Sequence, residues 1–177
     1  MRTPKVGTVM LDGTVYAGIS PKTGNMLFAM PEDAPDLLDY KQSHDCLSEM
    51  NKNKSFGYSD WRIPVVQELE VIFENRQKGG LSGTFNEAGK NYTKKFEINP
   101  PGNRTAPGWY RASDWAGYYS TKCKLFNDGT EMGMLDIDRV SVRYVREGGR
   151  PDKVTVLKNS VSHAARALQS KISSRLH

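Results

Sequence analysis

The residues best suited to chemistry in this chain are aromatic and charged side chains concentrated between positions 108 and 119. This segment reads GWYRASDWAGYY and holds two Trp, three Tyr, one Arg and one Asp. Trp, Tyr and Arg dominate the energetically important positions of binding interfaces, and aromatic faces also stack on sugar rings. The segment therefore predicts a surface for a protein or glycan ligand, with these side chains as binding residues: Trp109, Tyr110, Arg111, Asp114, Trp115 and Tyr119.

A structural interpretation of the same segment stays open. Tyr118 and Tyr119 are also expected if the chain alternates there as a strand with one ring buried, and one of the two Trp side chains is then part of the core. Exposure of the side chains at positions 109–111 distinguishes the two interpretations.

Catalytic arrangements are not evident. The two cysteines, Cys46 and Cys123, form no C-x-x-C motif, and the three histidines are scattered at positions 44, 163 and 177. A reactive thiol needs a cationic neighbour, and the lysines on either side of Cys123 are too common a feature to indicate one. No Ser/His/Asp arrangement or Walker-type phosphate loop is present. We therefore expect no enzyme activity, no cofactor and no catalytic residue.

A calcium-dependent lectin site is only half represented. Phe126-Asn127-Asp128 resembles the second half of such a site, and further oxygen ligands would have to come from Asp136 and Asp138. Calcium takes six to eight oxygen ligands. Asn-Asp-Gly is also a common hairpin turn, because these residues tolerate positive φ. The turn is favoured, and no metal site is predicted.

The elements that must position these residues include two predicted helices. Apolar side chains at three- and four-residue spacing, without an interior Pro or Gly, predict a first helix over residues 38–51. A second helix is predicted just after Pro64, which suits a first helical turn, and it ends at Gly79-Gly80. Four side chains of this helix are expected to face water: Gln67, Glu68, Glu70 and Glu74.

Strands and loops fill the rest of the body. An Asp-Gly turn between apolar residues predicts a hairpin within residues 6–28. Residues 80–117 show little periodicity and predict long surface loops, which are usually functional. Three strands are expected to close the body, over residues 117–121, 132–137 and 140–145. The predicted fold class is α+β, with two helices and small antiparallel sheets.

Charge divides the 177-residue chain into a neutral body and a basic tail. The net charge is +5, and the last thirty residues account for all of it with six Lys or Arg against one Asp. We therefore predict a domain over residues 1–147, a linker over 148–152 and a basic amphipathic helix over 153–177. Binding of nucleic acid over a broad basic face is excluded for the body.

The tail has apolar residues at three- and four-residue spacing, which predicts self-association of the helix into a homo-oligomer. Packing of the helix against the body, or contact of its basic face with an acidic membrane or nucleic acid, remain alternatives. The predicted oligomerisation positions are Val154, Leu157, Val161, Leu168 and Ile172.

The N-terminal residues and the hydropathy of the chain bear on its cellular location. No apolar run approaches the ~18 residues of a membrane span, and no Sec-type signal peptide is recognisable. These features predict a protein that is cytoplasmic or exported without a Sec leader.

Three strings of the sequence form a more specific pattern. Residues 57–64 read GYSDWRIP and precede Gln67-Glu68-Leu69, residues 118–121 read YYST, and residues 142–146 read VRYVR. The pattern resembles a bacterial family of unknown function typified by the C-terminal domain of a collagen-like adhesin. That family is grouped with C-type-lectin-like folds, which the formylglycine-generating enzymes share more distantly.

The resemblance covers roughly residues 6–147 and implies a C-type-lectin-like fold with long loops. It implies a non-catalytic role in adhesion, host interaction or phage receptor binding. The alternative is an intracellular or secreted bacterial effector or accessory protein, whose basic tail mediates oligomerisation or membrane contact.

One family feature is altered. Family members often join a cysteine of the first helix to the cysteine of a V-R-C-V-R string, and here Cys46 has the helical position while Tyr144 replaces its partner. That disulfide cannot form. Cys123 could be a substitute partner, and two free thiols are the other possibility. Trp61 and Arg62 are expected to form a structural corner, in which the Arg62 fork satisfies loop carbonyls.

Overall fold

Two helices and two small sheets make up residues 3–86 and 105–149, the part of the chain that the computed structural model describes. The predicted α+β class is confirmed. The predicted helix over residues 153–177 and its oligomerisation positions lie outside the described residues. The helices are α1 (Tyr40–Lys52) and α2 (Val66–Asn75), and the strands are β1 (Val15–Ile19), β2 (Met26–Ala29), β3 (Thr105–Gly117), β4 (Ser120–Leu125), β5 (Glu131–Leu135), β6 (Arg139–Ser141) and β7 (Val145–Glu147).

One sheet joins strands from the two ends of the body, and the other is built from consecutive strands β3 to β6. The three-stranded sheet has the order β1-β2-β7 and is antiparallel, so the last strand of the body pairs with a strand near its start. The four-stranded sheet has the order β5-β4-β3-β6. Its β6 runs parallel to β3, whereas the other pairs are antiparallel, so the prediction of purely antiparallel sheets is wrong for this pair.

Helix α1 begins at a reciprocal cap. The Asp39 carboxylate accepts a hydrogen bond from the Gln42 backbone N–H at 2.8 Å, and the Gln42 side chain accepts one from the Asp39 N–H at 3.1 Å. The predicted start at residue 38 is two residues early, because Leu38 pairs its backbone with Val140 of β6 instead. The predicted end at residue 51 is one residue short.

Helix α2 places an acidic residue in the core. The prediction that Glu68 faces water is wrong, since its side chain is fully buried. The pattern Gln-Glu-Leu-Glu gives no sign of this, because burial of one glutamate depends on partners that lie far away in sequence. The helix ends at Asn75, four residues before the predicted stop.

Strand β3 occupies part of the region that was predicted as loop. Residues 108–112 are buried without alternation, because one face meets the core under α2 and the other meets a second core around Trp109. A strand buried on both faces shows no period of two. Pro107 and Gly108 lie where the pairing with β6 shifts register, so these residues interrupt the pattern without ending the strand.

The strands predicted over residues 117–121, 132–137 and 140–145 are displaced in the structure. The first of these segments contains the β3–β4 turn rather than one strand, and the second overlaps β5. The third is divided between β6 and β7, because the chain passes there from the four-stranded sheet to the three-stranded one.

The predicted corner around Trp61 and Arg62 is present, with a different partner for the arginine. Trp61 is buried, and its backbone bonds the Asn51 side chain twice at 2.9 Å. The Arg62 fork binds carboxylates rather than loop carbonyls. Its two terminal nitrogens donate to both oxygens of Glu68 at 2.6 and 2.7 Å, and one of them also donates to Glu147 at 2.7 Å.

Two further contacts complete this group. The Ser20 hydroxyl donates to Glu68 at 2.6 Å, and the Arg62 backbone pairs with Val145 of β7. We refer to Ser20, Arg62, Glu68 and Glu147 as the Arg62 cluster. It connects the β1–β2 turn, the segment before α2, α2 itself and β7.

The cluster determines the ionisation of Glu68. Burial opposes its negative charge, but hydrogen bonds from Arg62 and Ser20 outweigh burial and lower the pKa of Glu68 below its usual 4.5. Ionised Glu68 therefore stabilises the folded state above about pH 4.5, and that stabilisation is lost as the pH falls through the lowered pKa.

Replacement of Arg62 by alanine is expected to destabilise the fold by about 3 kcal/mol, because it leaves the buried Glu68 carboxylate unpaired. Urea denaturation at pH 7 measures this change. The control is Lys41→Ala, which removes an exposed Lys41–Asp45 pair and is expected to cost less than about 0.5 kcal/mol. Equal effects of the two substitutions would contradict the assignment.

The pH dependence of stability provides a second test. Between pH 7 and pH 5 the free energy of unfolding is expected to change little, and below about pH 4.5 it is expected to fall as Glu68 is protonated. Glu68→Gln, measured by urea denaturation over the same pH range, should show a smaller fall in the free energy of unfolding, because it lacks one carboxyl group whose pKa is lowered by folding. An unchanged acid slope in that variant would refute the role of Glu68.

Candidate functional site

Three of the predicted binding residues lie inside the protein. Trp109, Tyr110 and Arg111 are buried in β3, so the expectation that they are exposed to a ligand is wrong. The reason is the position of this part of β3 between two cores, which covers successive side chains on both faces.

The buried residues have structural partners. The Tyr110 hydroxyl donates to Asp33, and burial raises the pKa of this phenol. Arg111 donates to the Thr121 hydroxyl and to the Asp138 carbonyl, each at 2.6 Å. These contacts hold β3 to the neighbouring segments.

Asp114 connects β3 to α2. Its carboxylate accepts a hydrogen bond of 2.6 Å from the backbone N–H of Val66, the first residue of the helix. The N–H groups of a first helical turn have no partner within the helix, and a carboxylate there also interacts favourably with the helix dipole. Asp114 therefore fixes the point where β3 leaves the core.

Beyond Asp114 the end of β3 and the turn that follows it expose aromatic rings. Trp115, Tyr118 and Tyr119 are 59%, 92% and 72% exposed. The Trp115 ring lies 5.6 Å from the ring of Tyr40 at the start of α1, and the Tyr118 and Tyr119 rings are 5.9 Å apart. We call Tyr40, Trp115, Tyr118 and Tyr119 the aromatic ridge.

Backbone contacts hold the two parts of the ridge together. The Asp136 N–H donates to the Tyr119 carbonyl at 2.9 Å, and the Asp136 carbonyl accepts from the Tyr40 N–H at 2.8 Å. One residue thus bridges the β3–β4 turn and the start of α1. The exposed rings are carried by backbone that is fixed at several points.

The turn that carries two of the rings has an unfavourable backbone conformation. Tyr118 and Tyr119 connect β3 to β4, and Tyr119 has φ of +50°, in the left-handed region. Asn and Gly are the residues that suit such turns, whereas a bulky side chain at positive φ costs about 1–2 kcal/mol. Local stability therefore does not account for the two tyrosines, and their rings remain open to solvent.

A groove runs beside the ridge. It consists of two adjoining clefts of about 460 and 330 Å³, which share Lys22 and Val65. His44 lies between groove and ridge, because it lines the larger cleft and its ring is 4.2 Å from that of Tyr40. Hydrogen-bonding side chains along the larger cleft come from Lys22, Thr23, His44, Arg62, Ser113 and Glu147.

Some of the charged side chains along the groove are in ion pairs and others are not. Arg62 is occupied by Glu68 and Glu147, and Glu147 also accepts hydrogen bonds from Thr23 and Asn25 at 2.8 Å. Within the described residues Lys22 makes no ion pair. The groove therefore offers neutral hydrogen-bonding groups and one available cation next to aromatic rings.

Both cysteines are free, and Cys123 is ill-suited to nucleophilic chemistry. Cys123 is buried, and burial raises the pKa of its thiol to about 12. The neighbouring Lys124 is engaged by Glu70 and Glu131 at 2.5 and 2.9 Å. The substitute disulfide with Cys46 is not formed.

The Asn-Asp-Gly segment forms a turn between β4 and β5. The Asp128 carboxylate accepts a hydrogen bond from the Thr130 N–H at 2.9 Å, and Gly129 has φ of +82°. The turn interpretation is confirmed. Across residues 3–86 and 105–149, no three His, Cys, Asp or Glu side chains are grouped to hold a metal ion, and no helix is long and apolar enough to span a membrane.

Sequence reasoning identified part of this surface. Trp115 and Tyr119 were predicted, whereas Tyr40, His44 and Lys22 were missed because they reach the surface from distant segments. The strained turn had one signal, a Tyr-Tyr pair where a hairpin favours Asn-Gly. Among known proteins no family model matches the chain, and no curated protein matches it.

Replacement of Tyr119 by glycine is expected to stabilise the protein by about 1 kcal/mol, because it relieves the positive φ and removes little buried surface. Tyr118→Gly is the matched control: it lacks positive φ and should be neutral or destabilising by up to about 1 kcal/mol. Thermal and urea denaturation measure both changes. A destabilised Tyr119→Gly variant would show that the ring contributes to the fold.

Proposed function

We propose that this protein is a non-catalytic binding module with a C-type-lectin-like fold, which binds a glycan on the aromatic ridge and the adjoining groove. The observation that carries the proposal is the Tyr118-Tyr119 turn, which exposes both rings and holds Tyr119 at positive φ. Strain of this kind persists where the surrounding structure enforces it, and it is concentrated at functional sites.

Several features of the fold support the C-type-lectin-like assignment. Strand β7 near the end of the body pairs with β2 near its start. Along the chain, both helices come after β2 and before the strands of the second sheet. The Trp61–Arg62 corner connects this pair of strands to α2. Tyr144, which replaces the second cysteine of the family pattern, directs its hydroxyl to the Ser43 carbonyl of α1 and lies against Cys46.

The composition of the surface favours a sugar. The apolar faces of a sugar ring pack on aromatic rings such as Trp115, and its hydroxyls exchange hydrogen bonds with polar side chains of the groove such as Ser113 and His44. No three His, Cys, Asp or Glu side chains are grouped within the described residues, and the binding proposed here relies on the rings and the groove rather than on a calcium ion.

A protein ligand is the second candidate. Leu135 and Ile137 are exposed on either side of Asp136, whose backbone contacts the ridge, and they add apolar surface next to it. Aromatic anchors surrounded by apolar area are typical of protein interfaces. In either form the role proposed is adhesion, host interaction or phage receptor binding, and an effector or accessory role with a functional basic tail is the alternative.

A glycan array tests the proposal with the full chain. Wild-type protein should bind a limited set of glycans in EDTA, and Trp115→Ala should weaken that binding about tenfold or more, because it removes the largest exposed ring. Leu11→Ala, which alters an exposed apolar residue elsewhere, is the control and should bind as wild type does.

Two results would overturn the glycan form of the proposal. One is the absence of binding to any glycan by folded wild-type protein. The other is binding that survives in Trp115→Ala while circular dichroism shows the variant to be folded. Binding that requires calcium would contradict the metal-independent site.

A further inference from the structure

The sheet edges of this fold are not equally protected. Residues 7–9 cover β1 with backbone hydrogen bonds, Arg62 covers β7, and Leu38 covers β6. Strand β5 is the remaining edge, and no segment among the described residues pairs with its outer side. Uncovered edges are sites where a further strand can add.

The direction of each β5 backbone group follows from its neighbours. Leu125 of β4 donates to the Thr130 carbonyl at 2.8 Å, and Phe126 donates to Gly108 on the opposite side at 2.9 Å. Antiparallel pairing alternates between bonded and non-bonded pairs, so Met132 and Met134 bond to β4. The N–H and C=O groups of Glu131, Gly133 and Leu135 therefore point outward.

One of these three residues is already occupied. The Leu135 N–H donates to the Asp138 carboxylate at 2.9 Å, and the Leu135 carbonyl accepts from the Asp138 N–H at 3.0 Å. Two donors and two acceptors remain, one of each on Glu131 and on Gly133. These four groups are the available pairing positions of the edge.

The strongest of the usual protections are not found on this strand, which is short and carries one charge, Glu131. Edge strands are commonly blunted by lysine, proline or a bulge, whereas β5 reads EMGML and pairs with β4 in unbroken register. Met132 and Leu135 are 37% and 39% exposed there. Apart from Glu131 the edge is apolar, and within residues 3–86 and 105–149 its outer side is open to pairing.

We propose that β5 pairs with β5 of a second copy of this chain, antiparallel and with the twofold axis beside Met132. In this register Glu131 of each copy lies opposite Gly133 of the other. Each such pair exchanges two hydrogen bonds, so all four free groups of each copy are satisfied. The four-stranded sheets then join into one sheet of eight strands.

The side chains fit this register. Glu131 meets a glycine across the interface, so its carboxylate is not opposed by another carboxylate, which would destabilise the pair. The two Met132 side chains meet at the axis, where flexible thioethers adapt to each other. A second copy thus provides both the hydrogen bonds and the apolar contact that the edge lacks.

Self-association of the full chain tests the proposal. Sedimentation equilibrium of wild type, over concentrations that reach about 0.5 mM, should show a reversible dimer with a small interface. Met132→Lys places two like charges at the axis and should raise the dissociation constant about tenfold or more. Leu11→Lys, the same kind of change on an exposed residue of another surface, should leave it unchanged.

Cross-linking tests the register without depending on Met132→Lys. Residues directly opposed in a non-bonded antiparallel pair lie close enough for a disulfide. Met132→Cys should therefore form a covalent dimer under mild oxidation. Leu11→Cys and wild type, whose cysteines are buried or partly buried, should remain uncross-linked.

The outcomes separate this interface from other modes of association. A monomeric wild type at the highest concentration overturns the proposal, as does a dimer that Met132→Lys leaves intact, which would locate association elsewhere, for example in the tail. Cross-linking of Leu11→Cys as fast as of Met132→Cys would overturn the register. Loss of glycan binding does not bear on any of these results.

Discussion

The contact between Arg62 and Glu68 is the interaction on which the rest of this structure depends. Glu68 is fully buried, and a buried carboxylate requires a partner charge and hydrogen bonds. Arg62 provides them, and in doing so it joins α2 to β7 through Glu147. The β1–β2 turn, the last strand of the body, the corner before α2 and part of the groove lining all meet at this one group of charges.

Strand β3 links that frame to the surface proposed for binding. Its first half contributes Trp109 and Tyr110 to the cores, and its second half carries Trp115 into solvent. Asp114 lies between the two halves and is bonded to the start of α2. The position of the exposed ring is therefore determined by the same helix that the Arg62 cluster anchors, so a stable frame is a condition for an ordered ridge.

The sequence predicts those features that depend on local patterns. Helix α1 lies within two residues of its predicted bounds, and a corner at Trp61 and Arg62 is present, because side-chain spacing and proline act over a few positions. Burial of Glu68 and the two-sided burial of β3 could not be predicted, since both depend on partners far along the chain. The same limit applies to the candidate site: Trp115 and Tyr119, which the sequence predicts as binding residues, are exposed, whereas Tyr40 and His44 come together with them only in the folded chain.

The most direct test of the proposed binding surface is to follow the side-chain N–H signals of the three Trp residues by NMR during titration with the strongest glycan found on the array. Trp61 and Trp109 are buried, whereas Trp115 is exposed on the ridge. The account predicts that the Trp115 signal shifts with saturable dependence on glycan while the other two stay in place. An unmoved Trp115 signal in the presence of bound glycan would contradict it.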